Sequence, residues 1–221
     1  MNLTATAPDV SDPGPEPGPG AAPLGPPAAT LTVPALAATA LTAGLRVLAS
    51  AGWPESAGDE VPPPIAGFVV SSFSPLAAET ARRCLLRRSG LPAPGTSERP
   101  VTAVVVVSPL GDLANAVHVA ETVDGDGRLG PLLFFQAVPN AVAGHLAAQW
   151  QLTGPVVCVA DTAAGLAVTA LLLADGDADE ALLIRVDQAH TPGGPDRAAA
   201  VLLGPGPQHS REPQHHEGEQ P

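Results

Sequence analysis

Few side chains here are of the types that do covalent or metal chemistry, and their spacing decides what they can reach. There are two cysteines, Cys84 and Cys158. Two cannot staple a chain of 221 residues as a disulfide scaffold, so both read as reduced thiols. Gly125-Asp126-Gly127-Arg128-Leu129-Gly130 matches a dinucleotide fingerprint by letter. That motif cradles a pyrophosphate only between a strand and a helix. Here it follows a helical pattern, and the Pro131-Leu132-Leu133-Phe134-Phe135 run after it is not expected to open a helix. It is read as a glycine-rich turn. Asp124 with Asp126, and Asp175, Asp177 and Asp179, imitate calcium loops, but neither run has the required Gly together with the closing Glu. Both are read as solvated turns. His209, His215, His216 and Glu217 lie in a Pro- and Gln-rich stretch with no scaffold to position a ligand set. There is no Gly-x-Ser-x-Gly elbow. The residues call for no metal and no cofactor.

The elements that would position any chemistry are apolar runs of alternating type. Residues 101–107 are nearly all β-branched, as in a strand buried on both faces. Residues 155–160, 181–186 and 198–203 read as further strands. Residues 75–88 read as a helix with Ser74 as N-cap and Pro75 at its first position. Leu76, Thr80, Ala81 and Cys84 share one of its faces, and Arg82, Arg83, Arg87 and Arg88 gather at its C-terminal end, where the helix dipole favours cations. Residues 112–122, 140–150 and 162–174 read as helices. Residues 44–51 fit either a strand, with Leu45, Val47 and Ala49 on one face, or the end of a helix starting at Ala35. Buried strands alternating with helices predict an α/β domain with a mainly parallel sheet and helices on both faces. It spans residues 31–204. The Pro/Gly/Ala-rich residues 1–30 and the polar residues 205–221 are expected to be disordered flanks, since Pro removes donors and Gly costs entropy.

Three segments occur in a telling order. The first is Pro139-Asn140-Ala141-Val142-Ala143-Gly144-His145. The second is Thr153-Gly154-Pro155, an apolar run, then Asp161-Thr162-Ala163-Ala164-Gly165. The third is Gly176-Asp177-Ala178-Asp179 before the next buried run. Together they resemble the N-terminal half of a β-ketoacyl-acyl-carrier-protein synthase, a thiolase-fold condensing enzyme, over roughly residues 44–204. The resemblance is greatest to short, stand-alone ketosynthase-like and chain-length-factor-like proteins of polyketide and aryl-polyene pathways. It implies half of a thiolase-like fold. It also places Thr162 where the family carries its nucleophilic Cys. A condensing enzyme needs a thiolate at that helix N-terminus, where the dipole lowers its pKa and backbone N–H groups make an oxyanion hole. Thr162 keeps the location without the thiol and would need an adjacent base. Asp161 precedes it, but neighbours on extended chain point to opposite faces. Cys158, four residues upstream, reads as a buried hydrophobe, and His118 and His145 match no catalytic position of the family. The family's second half, with its basic residues, is not expected in the sequence.

The resemblance therefore implies a catalytically degenerate accessory subunit of fatty-acid or polyketide biosynthesis that pairs with a ketosynthase or with itself. The alternative is an acyltransferase or acyl-thioester hydrolase using Thr162 on acyl-carrier-protein substrates. The helix over 162–174 is apolar nearly all round and expects burial on every side. Leu166, Leu171, Leu172 and Leu173 are thus candidate partner contacts. Arg82, Arg83, Arg87 and Arg88 are a candidate docking patch for an acidic acyl-carrier protein, against the plainer reading of a solvated helix face. Net charge is −12 and every basic residue is Arg, which excludes a basic nucleic-acid face and a polybasic membrane anchor. Residues 156–174 are long enough to span a bilayer, but Asp161 would cost roughly 2.5–3.5 kcal/mol on insertion scales. The run also changes from β-branched to Ala/Leu-rich, a strand turning into a helix. Met1-Asn2-Leu3-Thr4 opens no secretory signal, and a cytoplasmic protein is expected.

Overall fold

The computed structural model describes residues 32–88, 99–189 and 194–207. The expected flank over 1–30 and the His209, His215, His216 and Glu217 group lie outside the described residues. The elements are α1 (Val33–Thr42), β1 (Arg46–Trp53), α2 (Phe73–Leu86), β2 (Thr102–Val107), α3 (Leu113–Asp124), α4 (Pro131–Gln136), α5 (Pro139–Trp150), β3 (Val156–Val159), α6 (Thr162–Asp175), β4 (Glu180–Asp187) and β5 (Arg197–Gly204). Of the two readings of residues 44–51 the strand holds, since α1 ends at Thr42 and β1 runs Arg46–Trp53; Leu45 and Val47 share a face as expected, but a register irregularity between Val47 and Ala49 turns Ala49 to the other one.

The five strands form one sheet in the order β1-β5-β4-β2-β3. β2 pairs in parallel with β3 and β4, while β5 runs antiparallel to both β4 and β1. Four strands therefore point one way and β5 is reversed. All six residues of β2 are buried, as its β-branched run predicts for a central strand. Side chains alternate across the sheet. Val104, Val106, Leu182, Ile184, Ala200 and Leu202 pack on one face against α2 and α5. Val105, Val107, Leu183, Ala199, Val201 and Leu203 pack on the other against α1 and α6. The result is three layers with helices on both faces.

Two local readings are corrected. The second helix starts at Phe73 rather than Pro75, and Ser72, not Ser74, holds the N-cap position. Ser71 Oγ accepts from the Phe73 N–H at 3.1 Å, so the orphan donor is satisfied from one residue further upstream. Ser74 is buried inside the first turn. The run after Gly130 does open a helix: Pro131 takes the first position of α4, for which its fixed φ is suited. The fingerprint reading still fails, because Gly125-Asp126-Gly127-Arg128-Leu129-Gly130 joins helix α3 to helix α4. As expected, residues 156–174 are a strand followed by a helix, and among the described residues no helix is long and apolar enough to cross a membrane.

Candidate functional site at the turn from β3 into α6

Close backbone approaches set this turn. The chain enters β3 through Gly154, where a Cβ would lie 2.6 Å from Ala103 N and from Thr102 C and O. Only glycine fits there. At the other end Asp161 is the N-cap of α6, extended at φ −134° and ψ 157°, with Oδ1 accepting from the Ala164 N–H at 2.8 Å. Gly165, one turn in, lets α6 settle on the sheet. A Cβ there would lie 2.7 Å from Val107 Cγ2 and 3.4 Å from Leu183 Cδ1.

Thr162 is the first residue of α6 and is partly buried. Strand alternation puts Leu183, Arg185 and Asp187 of β4 on the α6 face of the sheet. The Arg185 guanidinium donates to Thr162 Oγ1 at 3.1 Å and to both carboxylate oxygens of Asp187, at 3.3 and 2.9 Å. Among the described residues, no histidine or carboxylate hydrogen-bonds the Thr162 hydroxyl. The group that faces it is a permanent cation, which cannot take a proton. The Asp161 carboxylate is engaged with the helix N-terminus. A hydroxyl at a helix N-terminus with no base beside it lacks what an alcohol needs to act as a nucleophile.

The remaining candidates are dispersed. Cys158 is half-buried beside a cleft of about 220 Å³ lined by Val106, Ser108, Pro139, Val159 and Ala160. Burial pushes its thiol up to about 11, away from the thiolate that reactivity needs. Cys84 is fully buried in the α2 face, and burial pushes it up to about 12. His118 is exposed on α3. His145 on α5 meets Phe68 edge-on with ring centroids 5.8 Å apart. No group of three or more metal-ligating side chains occurs among the described residues.

The α6 leucines divide. Leu166 is buried against the sheet and belongs to the chain's own core. Leu172 and Leu173 are partly buried, and Leu171 is 58 % exposed. The arginines of α2 are paired within the chain. Arg83 bonds Asp59 through two nitrogens at 2.8 Å and Glu79 at 2.8 Å, and it lies over the Trp53 ring. Arg82 pairs with Glu79, Arg87 with Glu55 and Arg88 with Glu180, at 2.7, 2.6 and 2.8 Å. Four cations thus meet four carboxylates.

Three features escaped the sequence reading. Arg185 is one; its signal was a lone charge inside the buried 181–186 run. A polar network is another. Ser71 Oγ donates to the buried Asp112, which also accepts from Asn115 Nδ2 at 2.6 Å, and Gln188 Nε2 reaches Ser71 and Ser72. It holds the start of α2 to the loop after β2. The third is an exposed apolar surface on α4 and its flanks, with Leu132, Phe134, Phe135 and Val138 at 50–73 % exposure.

No family model matches the sequence, and no curated protein matches it. Solved structures do. A chain of a ketosynthase in complex with its chain length factor, from Xenorhabdus doucetiae, superposes with a TM-score of 0.56 at 17 % identity, covering 74 % of this chain and 79 % of that one. A β-ketoacyl synthase from Burkholderia phymatum gives 0.54 at 13 % identity, covering 76 % and 54 %. A type II polyketide acyl-carrier protein in complex with its ketosynthase bound to the hexaketide gives 0.55 at 11 % identity, covering 75 % and 63 %. The last two likenesses span less than two thirds of the solved chain. The fold is that of the β-ketoacyl synthases, half of a thiolase-like arrangement.

Proposed function

We propose that this chain is a ketosynthase-like accessory subunit of fatty-acid or polyketide biosynthesis, acting by pairing rather than by condensing acyl groups. The observation that carries the reading is Thr162. It stands at the helix N-terminus that follows β3, and its hydroxyl is held by Arg185 with no base at hand. The likeness to a chain of a ketosynthase and chain-length-factor complex supports the pairing role. The apolar surface that pairing would cover lies in two places. One is the α4 surface with Phe134 and Phe135, next to α5. The other is the outer side of α6 at Leu171, whose neighbours Leu172 and Leu173 turn in against the chain's own core. Acyl-carrier protein enters as a partner of the assembled pair. Arg82 and Arg87 of the α2 cluster are half-exposed but paired with Glu79 and Glu55, so the carrier's basic contacts come from the ketosynthase.

The test is co-expression with a complete ketosynthase and an acyl-carrier protein of the same pathway. The expected result is co-purification of chain and ketosynthase, unchanged by Thr162→Ala. A chain that elutes alone and leaves the ketosynthase's products unaltered counts against the pairing role. Loss of acyl transfer in Thr162→Ala, with the complex intact, points instead to the acyltransferase or thioester hydrolase.

A further inference from the structure

β1 is one edge of the sheet. Its neighbour on one side is β5, and among the described residues no strand lies on the other. It is eight residues long, against four for β3 at the opposite edge. A strand of that length with a free side offers a row of N–H and C=O groups to any extended chain, unless the molecule occupies them itself. The common devices protect only the ends of this one. Arg46 puts a charge at its start, a register irregularity turns the chain between Val47 and Ala49, and Pro54 follows its last residue without an N–H. Between them, Ser50-Ala51-Gly52 carries neither charge nor proline.

Two side chains occupy that middle. Arg87, at the C-cap of α2, donates through Nη1 to Ser50 O at 3.1 Å. Glu55 Oε1 accepts from the Gly52 N–H at 2.8 Å. The two side chains also bond each other as a fork, Arg87 Nη1 to Glu55 Oε1 and Nη2 to Oε2, both at 2.6 Å. Backbone groups of residues two apart on a strand point to the same side. Ser50 and Gly52 are thus the residues that face outward, while Ala49, Ala51 and Trp53 turn their groups to β5. Ser50 O and Gly52 N–H flank Ala51 and are the pair that one residue of a parallel strand would take. An antiparallel strand would need both as well. Here the guanidinium stands where that strand's donor would be, and the carboxylate where its acceptor would be.

We propose that Arg87 and Glu55 are a clasp that closes the outer edge of β1 against strand addition. The clasp lies on a sheet edge that neither pairing surface above includes, so it holds or fails apart from the proposed function. Stability alone does not account for the arrangement. Arg87 is 48 % exposed, and an ion pair so open to water adds little to the fold. Arg82, 46 % exposed on the same helix, makes the comparison: it forks onto Glu79 at 2.7 and 2.8 Å and among the described residues reaches no strand backbone. Glu55 is also held for its task, since its own N–H donates to Asp59 Oδ2 at 2.7 Å and Arg83 anchors that carboxylate.

Two measurements on the full chain test this. The first is amide exchange at Gly52, followed by NMR. The wild-type amide is expected to be protected although it faces away from β5, and Glu55→Ala is expected to speed its exchange at least about tenfold while Ala51 keeps its rate. The second is the lag before thioflavin-positive assembly under agitation, at a temperature where circular dichroism shows every variant folded. Arg87→Ala is expected to assemble severalfold sooner than the wild type. Arg82→Ala, which loses a pair of similar openness away from the edge, is expected to keep the wild-type lag. Ser50→Pro added to Arg87→Ala removes an outward N–H without touching the β5 ladder, and is expected to restore the lag. If the proline variant does not fold, Glu55→Ala opens the same edge from the other half of the clasp and is expected to shorten the lag as Arg87→Ala does. A wild-type Gly52 amide that exchanges as fast as in Glu55→Ala overturns the proposal. So does a lag in Arg87→Ala no shorter than in Arg82→Ala, a short lag that Ser50→Pro in a folded variant leaves short, or a wild-type lag in Glu55→Ala.

Discussion

Thr162 and Arg185 together separate location from reactivity. The position has what a nucleophile's site needs from the backbone: a helix N-terminus after a strand, with Gly165 letting the helix approach the sheet. What is missing is a group whose pKa that environment can use. A threonine hydroxyl stays protonated there, while a thiol would respond to both the helix dipole and the guanidinium 3.1 Å away. Thr162→Cys is therefore expected to create a reactive thiol. Alkylation by iodoacetamide near neutral pH should be at least about tenfold faster than at Cys158, whose pKa is pushed up to about 11. Peptide mapping of the alkylated variant reads the two sites separately. Equal rates would mean that the turn does not activate a nucleophile, and the nucleophile analogy would lose its physical basis. Counting back from Gly165 puts Thr162 at the start of a helix, and it is the first residue of α6. It could not place Arg185, because the pairing is between residues 23 apart and depends on strand register.

At the scale of elements, the buried strands were legible because β-branched runs have few alternatives when both faces are covered. Val104–Val107 illustrate this, and the short buried apolar run Leu182–Ile184 is legible by its length. Helix starts were less legible. The α2 start is shared among Ser71, Ser72 and Ser74, and tertiary bonds to Asp112 and Gln188 choose among them. α4 was missed because Leu132-Leu133-Phe134-Phe135 has no helical period over six residues. The two motif glycines of the α5 and α6 helices also look alike in sequence and differ in packing. Gly165 has Val107 Cγ2 2.7 Å from where a Cβ would sit, whereas Gly144 is exposed with nothing within 4 Å. Gly165→Ala is expected to destabilise by about 1–3 kcal/mol through overpacking. Gly144→Ala is expected to stabilise by about 0.5–1 kcal/mol, since glycine inside a helix costs that much relative to alanine. Urea unfolding of both variants checks the opposite signs.

The same scale governs the response to acid. Hydrogen bonds from Arg87, Arg83 and Arg82 hold Glu55, Asp59 and Glu79 respectively below the usual carboxylate range. A carboxylate depressed in the folded state binds fewer protons there than in the unfolded chain, so its contribution is present above the unfolded value and is lost as pH falls. Glu180 runs the other way. Burial raises its pKa, so its contribution declines as pH rises through the folded value. Three groups against one give a melting midpoint that falls as pH drops below about 4.5. Arg83→Ala, which releases Asp59 and one bond to Glu79, is expected to flatten that fall. An unaltered acid limb in the variant would show that the cluster does not set it.

For the molecule as a whole, charge distribution would limit the meeting with an acyl-carrier protein that the proposed function calls for. The chain carries 22 acidic residues against ten arginines, and an acidic carrier would approach a field of its own sign. The α2 arginines do not reverse this locally, because Glu55, Asp59, Glu79 and Glu180 neutralise them. Arg185 is engaged with Asp187 and Thr162. The expectation is that the isolated chain binds carrier protein negligibly at about 0.15 M salt, and that binding appears only in complex with a ketosynthase that brings basic residues of its own. Titration of labelled carrier protein with the chain alone, and then with the co-purified complex, reads the two cases. Arg87→Glu should lower the melting midpoint, since it sets Glu55 against a second carboxylate, yet leave carrier affinity of the complex unchanged. Loss of affinity in that variant, with the fold intact, would instead make the α2 cluster a docking site despite its internal pairing. The residues that attract the carrier would then have to break those pairs at each encounter, and the affinity would fall steeply with added salt.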